Sequence, residues 1–222
     1  LARLHGDLEF TPVFPETEET SAPVIERYLP SRDYEKHNRE LKRARRFLKQ
    51  RSQKTWFEIR LSAVIDPFLE EARQLCEEWK EIELAASDSG EEVPLCFCHG
   101  DYQYHNILRQ DRGFFLVNFE KCQADGPVRD LYLLLRKLLE KSEWDAEWGR
   151  VLLAAYESVR PLKPYERQDL VYRLSYPEKL WKIVNFYYNS GKSWIPEKNQ
   201  EKLDRLLEQE AARKKFLKLL QR

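Results

Sequence analysis

Methionine is absent from this chain of 222 residues, and cysteine and histidine are sparse, at four each. A chain that opens at Leu1 without an initiator reads as a fragment of something longer, or as a sequence from which residues are missing. Cys76, Cys96, Cys98 and Cys122 contain no Cys-x-x-Cys pair, so no zinc site is legible. They read as reduced thiols of a cytosolic protein. No apolar run approaches about 18 residues and no signal peptide is visible, which argues against a spanning segment or secretion by the chain's own signal. Net charge is absent too: 38 basic side chains cancel 38 acidic ones. That balance argues against a chain built for electrostatic capture of nucleic acid or an anionic membrane.

What is present is a 42% hydrophobic chain able to bury a core, with room for one large or two small domains. Leu1 to His5 reads as the end of a helix. From Phe10 to Pro30, prolines at 12, 15, 23 and 30 and the acidic run Glu16 to Glu19 predict an irregular connection. Ser31 or Asp33 can cap a helix running to about Gln50. Its cations, Arg39, Lys42, Arg43, Arg45, Arg46, Lys49 and Arg51, fit a phosphate or partner-docking face or a solvated side balanced by acids elsewhere. The second is preferred, because no aromatic residues interleave the charges.

Trp56 to about Ala86 carries apolar residues at helical spacing, with Asp66-Pro67 set to cap a second helix or kink a single one. Leu95 to Cys98 reads as a short buried approach to the loop that follows. Leu131 to Leu139 is a leucine-dense helix, and Ser142 is set to cap another from about Glu143 to Val159. Pro164, Pro177 and Pro196 each stand where a first helical turn should begin. Of the aromatic cluster Trp181, Phe186, Tyr187, Tyr188 and Trp194, most rings read as core, Trp194 least clearly.

The chemistry-bearing stretch is Cys98 to Leu108 followed by Phe114 to Glu120. His99, Asp101 and Asn106 fit His-x-Asp-x-x-x-x-Asn, which in phosphoryl-transfer enzymes sets a carboxylate at the acceptor hydroxyl and an amide at magnesium. Such catalysis is mostly positioning and charge neutralisation, so the base and metal ligands must converge from adjacent backbone segments. A hairpin does this: Ile107-Leu108 and Phe114 to Val117 are apolar strands, with turn chemistry at Gln110 to Gly113. An Asx-rich loop capping its own backbone is the bland alternative. The order of parts, ending in Gly126 and Asp130-Leu131 at a helix start, favours the kinase-like reading.

His99 to Leu108, Val117 to Glu120, Asp130 to Tyr132, and the tail Leu174 to Lys179, Asn185 to Asn189 and Ser193 to Pro196 are similar to the bacterial spore-coat kinase-like proteins of the CotS type. These belong to the aminoglycoside phosphotransferase and choline kinase superfamily. The resemblance covers nearly the whole chain and implies an α+β, mostly α fold: the helical C-lobe of a protein-kinase-like protein with a catalytic-loop β-hairpin. Residues 1–30 would be an interlobe segment and irregular connection and 31–222 the C-lobe, with the N-lobe absent. ATP and Mg2+ are the implied cofactors, and a hydroxyl of a small molecule or protein the implied acceptor. Neither nucleic acid nor membrane is an expected partner, and the expected location is the cytoplasm and the spore coat.

Asp101 is then the candidate base, Asn106 a candidate nucleotide and metal ligand, His99 a residue packed beneath the metal element, and His105 a loop residue satisfied by a neighbouring carbonyl. Where the family's pattern calls for a metal-holding aspartate this chain has Asn118, an amide that can coordinate but brings no charge. Glu120 can compensate by sharing a strand face with Asn118, or pair with Lys121. Asp130 has two open roles, helix N-cap or acceptor for the catalytic-loop backbone. An ATP-dependent phosphotransferase impaired by Asn118 and an inactive pseudokinase scaffold for coat assembly, with coat proteins as partners, both remain open.

Overall fold

The computed structural model describes residues 1–7, 9–10, 30–88, 95–111, 113–189 and 196–221. Eight helices and five short strands run in the order α1 (Ala2–Asp7), β1 (Glu9–Phe10), α2 (Pro30–Gln50), α3 (Trp56–Asp88), β2 (Leu95–Cys98), β3 (Ile107–Gln110), β4 (Gly113–Leu116), β5 (Gln123–Asp125), α4 (Val128–Lys141), α5 (Ala146–Glu157), α6 (Pro164–Ser175), α7 (Glu178–Asn189) and α8 (Pro196–Leu220), among the described residues. The mostly helical α+β class expected from the sequence is what forms.

The chain divides into two compact units. The second comprises Leu29–Ala85 and Ser175–Leu217. Its core takes Leu41 and Leu48 from α2, Phe57, Leu61 and Ile65 from α3, Leu180, Ile183 and Val184 from α7, and Leu203 from α8. Those positions recur every three, four or seven residues, so each helix turns one apolar stripe inward. Each such side chain contributes roughly 1.5–3 kcal/mol relative to exposure. A polar seam runs beside them: Tyr176 Oη donates to Asn38 Oδ1 at 2.8 Å, Asn38 Nδ2 donates to Ala72 O at 3.1 Å, and the Tyr176 ring stacks on Tyr34. The Asn38 amide and the Tyr176 hydroxyl are thereby both satisfied, as the cost of an unmade buried hydrogen bond demands.

Of the two roles open to Asp66-Pro67, capping a second helix is not the one taken, because α3 is a single helix that contains Pro67. Pro67 and Ala63 both lie on the exposed side, so the carbonyl that proline cannot serve meets water. Asp66 is free to pair with Arg45.

The first unit comprises Leu1–Tyr28, Ala86–Leu174 and Lys218–Arg222. The expected hairpin is β3–β4, paired Ile107 with Leu116 through Gln110 with Gly113. Arg112 of its turn lies outside the described residues. A three-stranded antiparallel sheet of order β1-β2-β5 accompanies the hairpin, and sequence did not announce it. β2 is its central strand, with Cys96 and Cys98 buried on one face. Helix α4 buries Leu131, Leu135 and Leu139 at four-residue spacing.

Two caps differ from expectation. Helix α2 begins at Pro30, so Ser31 and Asp33 lie inside it and cap nothing, and Ser31 Oγ donates to Glu83 instead. Ser142 closes α4, while Glu143 and Trp144 adopt left-handed backbone and Asp145 caps α5 by accepting from the Trp148 N–H. The chain reverses between two helices here, and Asp145 is the first residue in register with the new one. Trp194 lies outside the described residues. Tyr187 is core, Trp181 and Tyr188 are half-buried, and Phe186 is exposed.

Candidate functional site

The loop leaving β2 is held by one carboxylate. Asp130, fully buried near the start of α4, accepts the N–H of His99 at 2.6 Å and of Gly100 at 2.8 Å. Of its two open roles the loop anchor is the observed one, and the α4 N-cap position belongs to Pro127. Gly100 has φ +75, and a Cβ there would overlap the carbonyl oxygen of Lys121, so this turn demands glycine. His99 is buried and bonds on both ring nitrogens: Nδ1 accepts from the Asp101 N–H at 3.2 Å, so Nε2 carries the proton and donates to Val117 O at 2.9 Å. As expected it lies beneath the Asn118 segment as a structural residue, not a proton carrier.

Asn106 closes a single 3-10 turn, Tyr104–Asn106, and is 2% exposed. Its Nδ2 donates to the Asp101 carbonyl at 2.8 Å. Its Oδ1 therefore faces away, and it accepts from Asn118 Nδ2 at 2.9 Å. The backbone completes this clasp, with Val117 N–H donating to Asn106 O at 3.1 Å. Asn118 has φ +67, a left-handed conformation that asparagine tolerates better than most residues.

Asp101 is three-quarters buried and surrounded by donors. Gln103 Nε2 donates to Oδ1 at 2.7 Å, Lys121 Nζ to Oδ2 at 3.0 Å, and Lys137 Nζ stands 3.7 Å from Oδ1. Burial alone would raise this carboxyl, but the Lys121 hydrogen bond and the charges of Lys121, Lys137 and His105 hold it below the ordinary carboxylate range. It is ionised at neutral pH and able to orient a hydroxyl, though as a weakened proton acceptor.

The structure thus joins Asp101, Asn106 and Asn118 in one hydrogen-bonded network. Glu120 is not drawn in. β4 ends at Leu116 and the left-handed turn at Asn118 breaks the strand, so Asn118 and Glu120 share no strand face. Glu120 is exposed and, among the described residues, has no hydrogen bond or ion pair, while Lys121 serves Asp101 instead. His105 is exposed as well, touching the Tyr104 ring without bonding a carbonyl among the described residues.

Sequence reasoning missed Lys137, Gln103 and His5. Lys137 follows Asp130 by seven residues, two helical turns, so accepting Asp130 as the loop anchor puts Lys137 on the same face of α4. His5, fully buried, bonds Tyr156 Oη through Nδ1 at 2.8 Å. Its Nε2 faces Asp130 Oδ2 at 3.5 Å, outside hydrogen-bond geometry. Nothing local in the sequence marks that residue.

The donor set does not fit Mg2+. A hard dication takes one or two carboxylates with substrate oxygens. Here the two converging ligands are neutral amides, and the oxygen Asn106 would offer already accepts the Asn118 amide. Among the described residues no group of three His, Cys, Asp or Glu side chains could hold a metal ion.

Comparison with known proteins follows the same lines. Spore coat protein S of Bacillus subtilis (strain 168) is 32% identical over 123 residues, 54% of this chain and 35% of that protein. A crystal structure of aminoglycoside phosphotransferase from Alicyclobacillus acidocaldarius superposes on the whole chain with a TM-score of 0.77 at 19% identity, and 63% of that chain is covered. The fold is that of these phosphotransferases, and the present chain spans about a third of the curated relative and under two thirds of the structural one. The family model described as "Spore coat putative kinase YutH" matches residues 70–220, and the chain belongs to that family.

Proposed function

We propose that this chain is the helical lobe of a spore-coat-associated, kinase-fold protein that serves as a pseudokinase scaffold and does not carry out metal-dependent phosphoryl transfer. The observation that carries this reading is the Asn106–Asn118 clasp, in which the two ligand positions satisfy each other instead of offering charge and open lone pairs. Metal stabilisation of a phosphoryl transition state is worth several kcal/mol. Its loss would cost orders of magnitude in rate. Coat association is carried over from the family and from the relative named as a spore coat protein. No helix among the described residues is long and apolar enough to cross a membrane.

A second reading rests on Asp101, which keeps an ionised carboxylate at the base position with its loop fully anchored. In that reading Asp101 orients an acceptor hydroxyl toward the γ-phosphate of ATP, and the chain is part of a slow phosphotransferase. Calorimetry of Mg-ATP on the full-length protein, beside the Asn118→Asp and Asp101→Asn variants, separates the two. Absence of binding by wild type supports the scaffold. Binding by wild type that tightens in Asn118→Asp, with ATP turnover lost in Asp101→Asn, overturns it for the enzyme.

A further inference from the structure

Helix α2 carries a row of cations that the site described above does not use. Arg32, Lys36, Arg39, Arg43 and Arg46 recur at spacings of four, three, four and three, which is one face of an α-helix, and all are exposed. Among the described residues none of the five has a hydrogen bond or an ion pair, and neither do the flanking Lys42 and Lys49. The acids near them are already taken: Glu35 by Lys80, Asp66 by Arg45 and Glu70 by Arg73. Arg45 and Arg51 thus have acids within contact, Asp66 and Glu58, whereas the row has only through-space attraction, as of Glu35 for Arg39.

Toward its C-terminal end the row meets a groove at Arg43. Between α2 and α7 lies a cavity of about 210 Å³ lined by Arg43, Ala44, Phe47, Trp181, Val184 and Tyr188, among others. Phe47 is 45% exposed at its mouth with its edge toward Tyr188. Glu40, on the groove wall, has one carboxylate oxygen held by the Trp181 ring N–H at 2.6 Å. Arg43 belongs to both features, so a guanidinium without a hydrogen bond or ion pair among the described residues lines an apolar, aromatic pocket large enough for one side chain.

We propose that this face docks an acidic peptide segment of a partner protein, with one apolar or aromatic side chain of the segment seated in the groove and its carboxylates along the row. Arg32 to Arg46 spans about 21 Å at 1.5 Å per residue. An extended segment of about six or seven residues covers that length. The arginines suit carboxylates, which they can bind through two parallel N–H groups. A single-stranded nucleic acid would need a succession of stacking platforms, and Phe47 is the one aromatic ring on the exposed side of α2. A membrane surface would need apolar side chains facing outward, and α2 turns its leucines into the core.

The test is fluorescence anisotropy on the full-length protein with labelled acidic peptides about seven residues long, bearing one terminal Phe, and with the same peptides carrying Ser in its place. The expected results are saturable binding that weakens with salt, a loss of at least about tenfold on Phe→Ser in the peptide, and a similar loss in the Arg43→Glu/Arg46→Glu protein. Phe47→Ala should lose several-fold, with unchanged circular dichroism melting in both variants. Equal binding of the Phe and Ser peptides would sink the proposal. So would no saturation by millimolar peptide, or displacement of the peptide by single-stranded DNA or phosphatidylserine vesicles at lower concentration than by unlabelled peptide.

Discussion

Asn118 donates its side-chain amide to Oδ1 of Asn106 across 2.9 Å, and Asn106 can accept because its own Nδ2 is committed to the Asp101 carbonyl. The geometry has a definite polarity: whatever stands at position 118 must present a donor, or else a cation must come between two oxygens. Aspartate in that place would set two acceptors against each other.

Asn118→Asp should therefore be less stable than wild type in EDTA, by about 1–2 kcal/mol for a lost hydrogen bond and two facing acceptors. Millimolar Mg2+ should restore much of that loss, since a ligand that binds only the folded state stabilises it. Thermal melts of both proteins with and without Mg2+ check this. An Mg2+ response in wild type equal to that of the variant would mean the amide pair already binds metal.

Asp130→Ala should destabilise the protein by roughly 3 kcal/mol or more, because it orphans the His99 and Gly100 N–H groups in a buried setting. Asp130→Asn keeps one acceptor and should cost less. Urea denaturation of the pair gives the comparison, and two equal, small losses would show that water replaces the carboxylate.

Gly100→Ala meets both a left-handed backbone and the Lys121 carbonyl. A loss of about 2–4 kcal/mol is expected from strain plus displacement of that backbone. Because the Lys121 segment carries the ammonium paired with Asp101, hydrogen exchange of the 98–106 loop should rise in the same variant. Unchanged exchange would place the strain elsewhere.

Asp101 supplies the pH dependence. Its carboxyl lies below the ordinary range, so the folded state holds fewer protons than the unfolded one in that interval. The stabilisation is complete above the ordinary carboxylate value of about 3.9 and is lost as pH falls through the depressed one. Stability of wild type and Asp101→Asn should differ by a constant amount above about pH 5 and converge as pH falls below about 4. Parallel curves from pH 3 to 7 would mean the two lysines contribute nothing to the fold.

The sequence by itself determined the helices, the hairpin and the motif. Apolar residues at helical spacing place a stripe on α2, α3, α4 and α7 whatever they pack against, and prolines at 164 and 196 mark starts because they lack only an N–H that a first turn does not use. Asp101 and Asn106 stood out because their spacing fits a phosphoryl-transfer loop, and the structure joins them by a hydrogen bond. What only the tertiary structure decided lies between segments far apart in the chain. Lys121 and Lys137 converge on Asp101, Asp130 holds a loop about thirty residues upstream, and Cys96 pairs with Asp125 in a sheet whose strands are two to four residues long. Strands that short carry no period to read, and a charge reveals no partner until the fold sets the distance. The same holds for α2: the cations from Arg39 to Arg51 were visible in the sequence, but which acids were already engaged, and that Arg43 lines a groove, follows from packing alone.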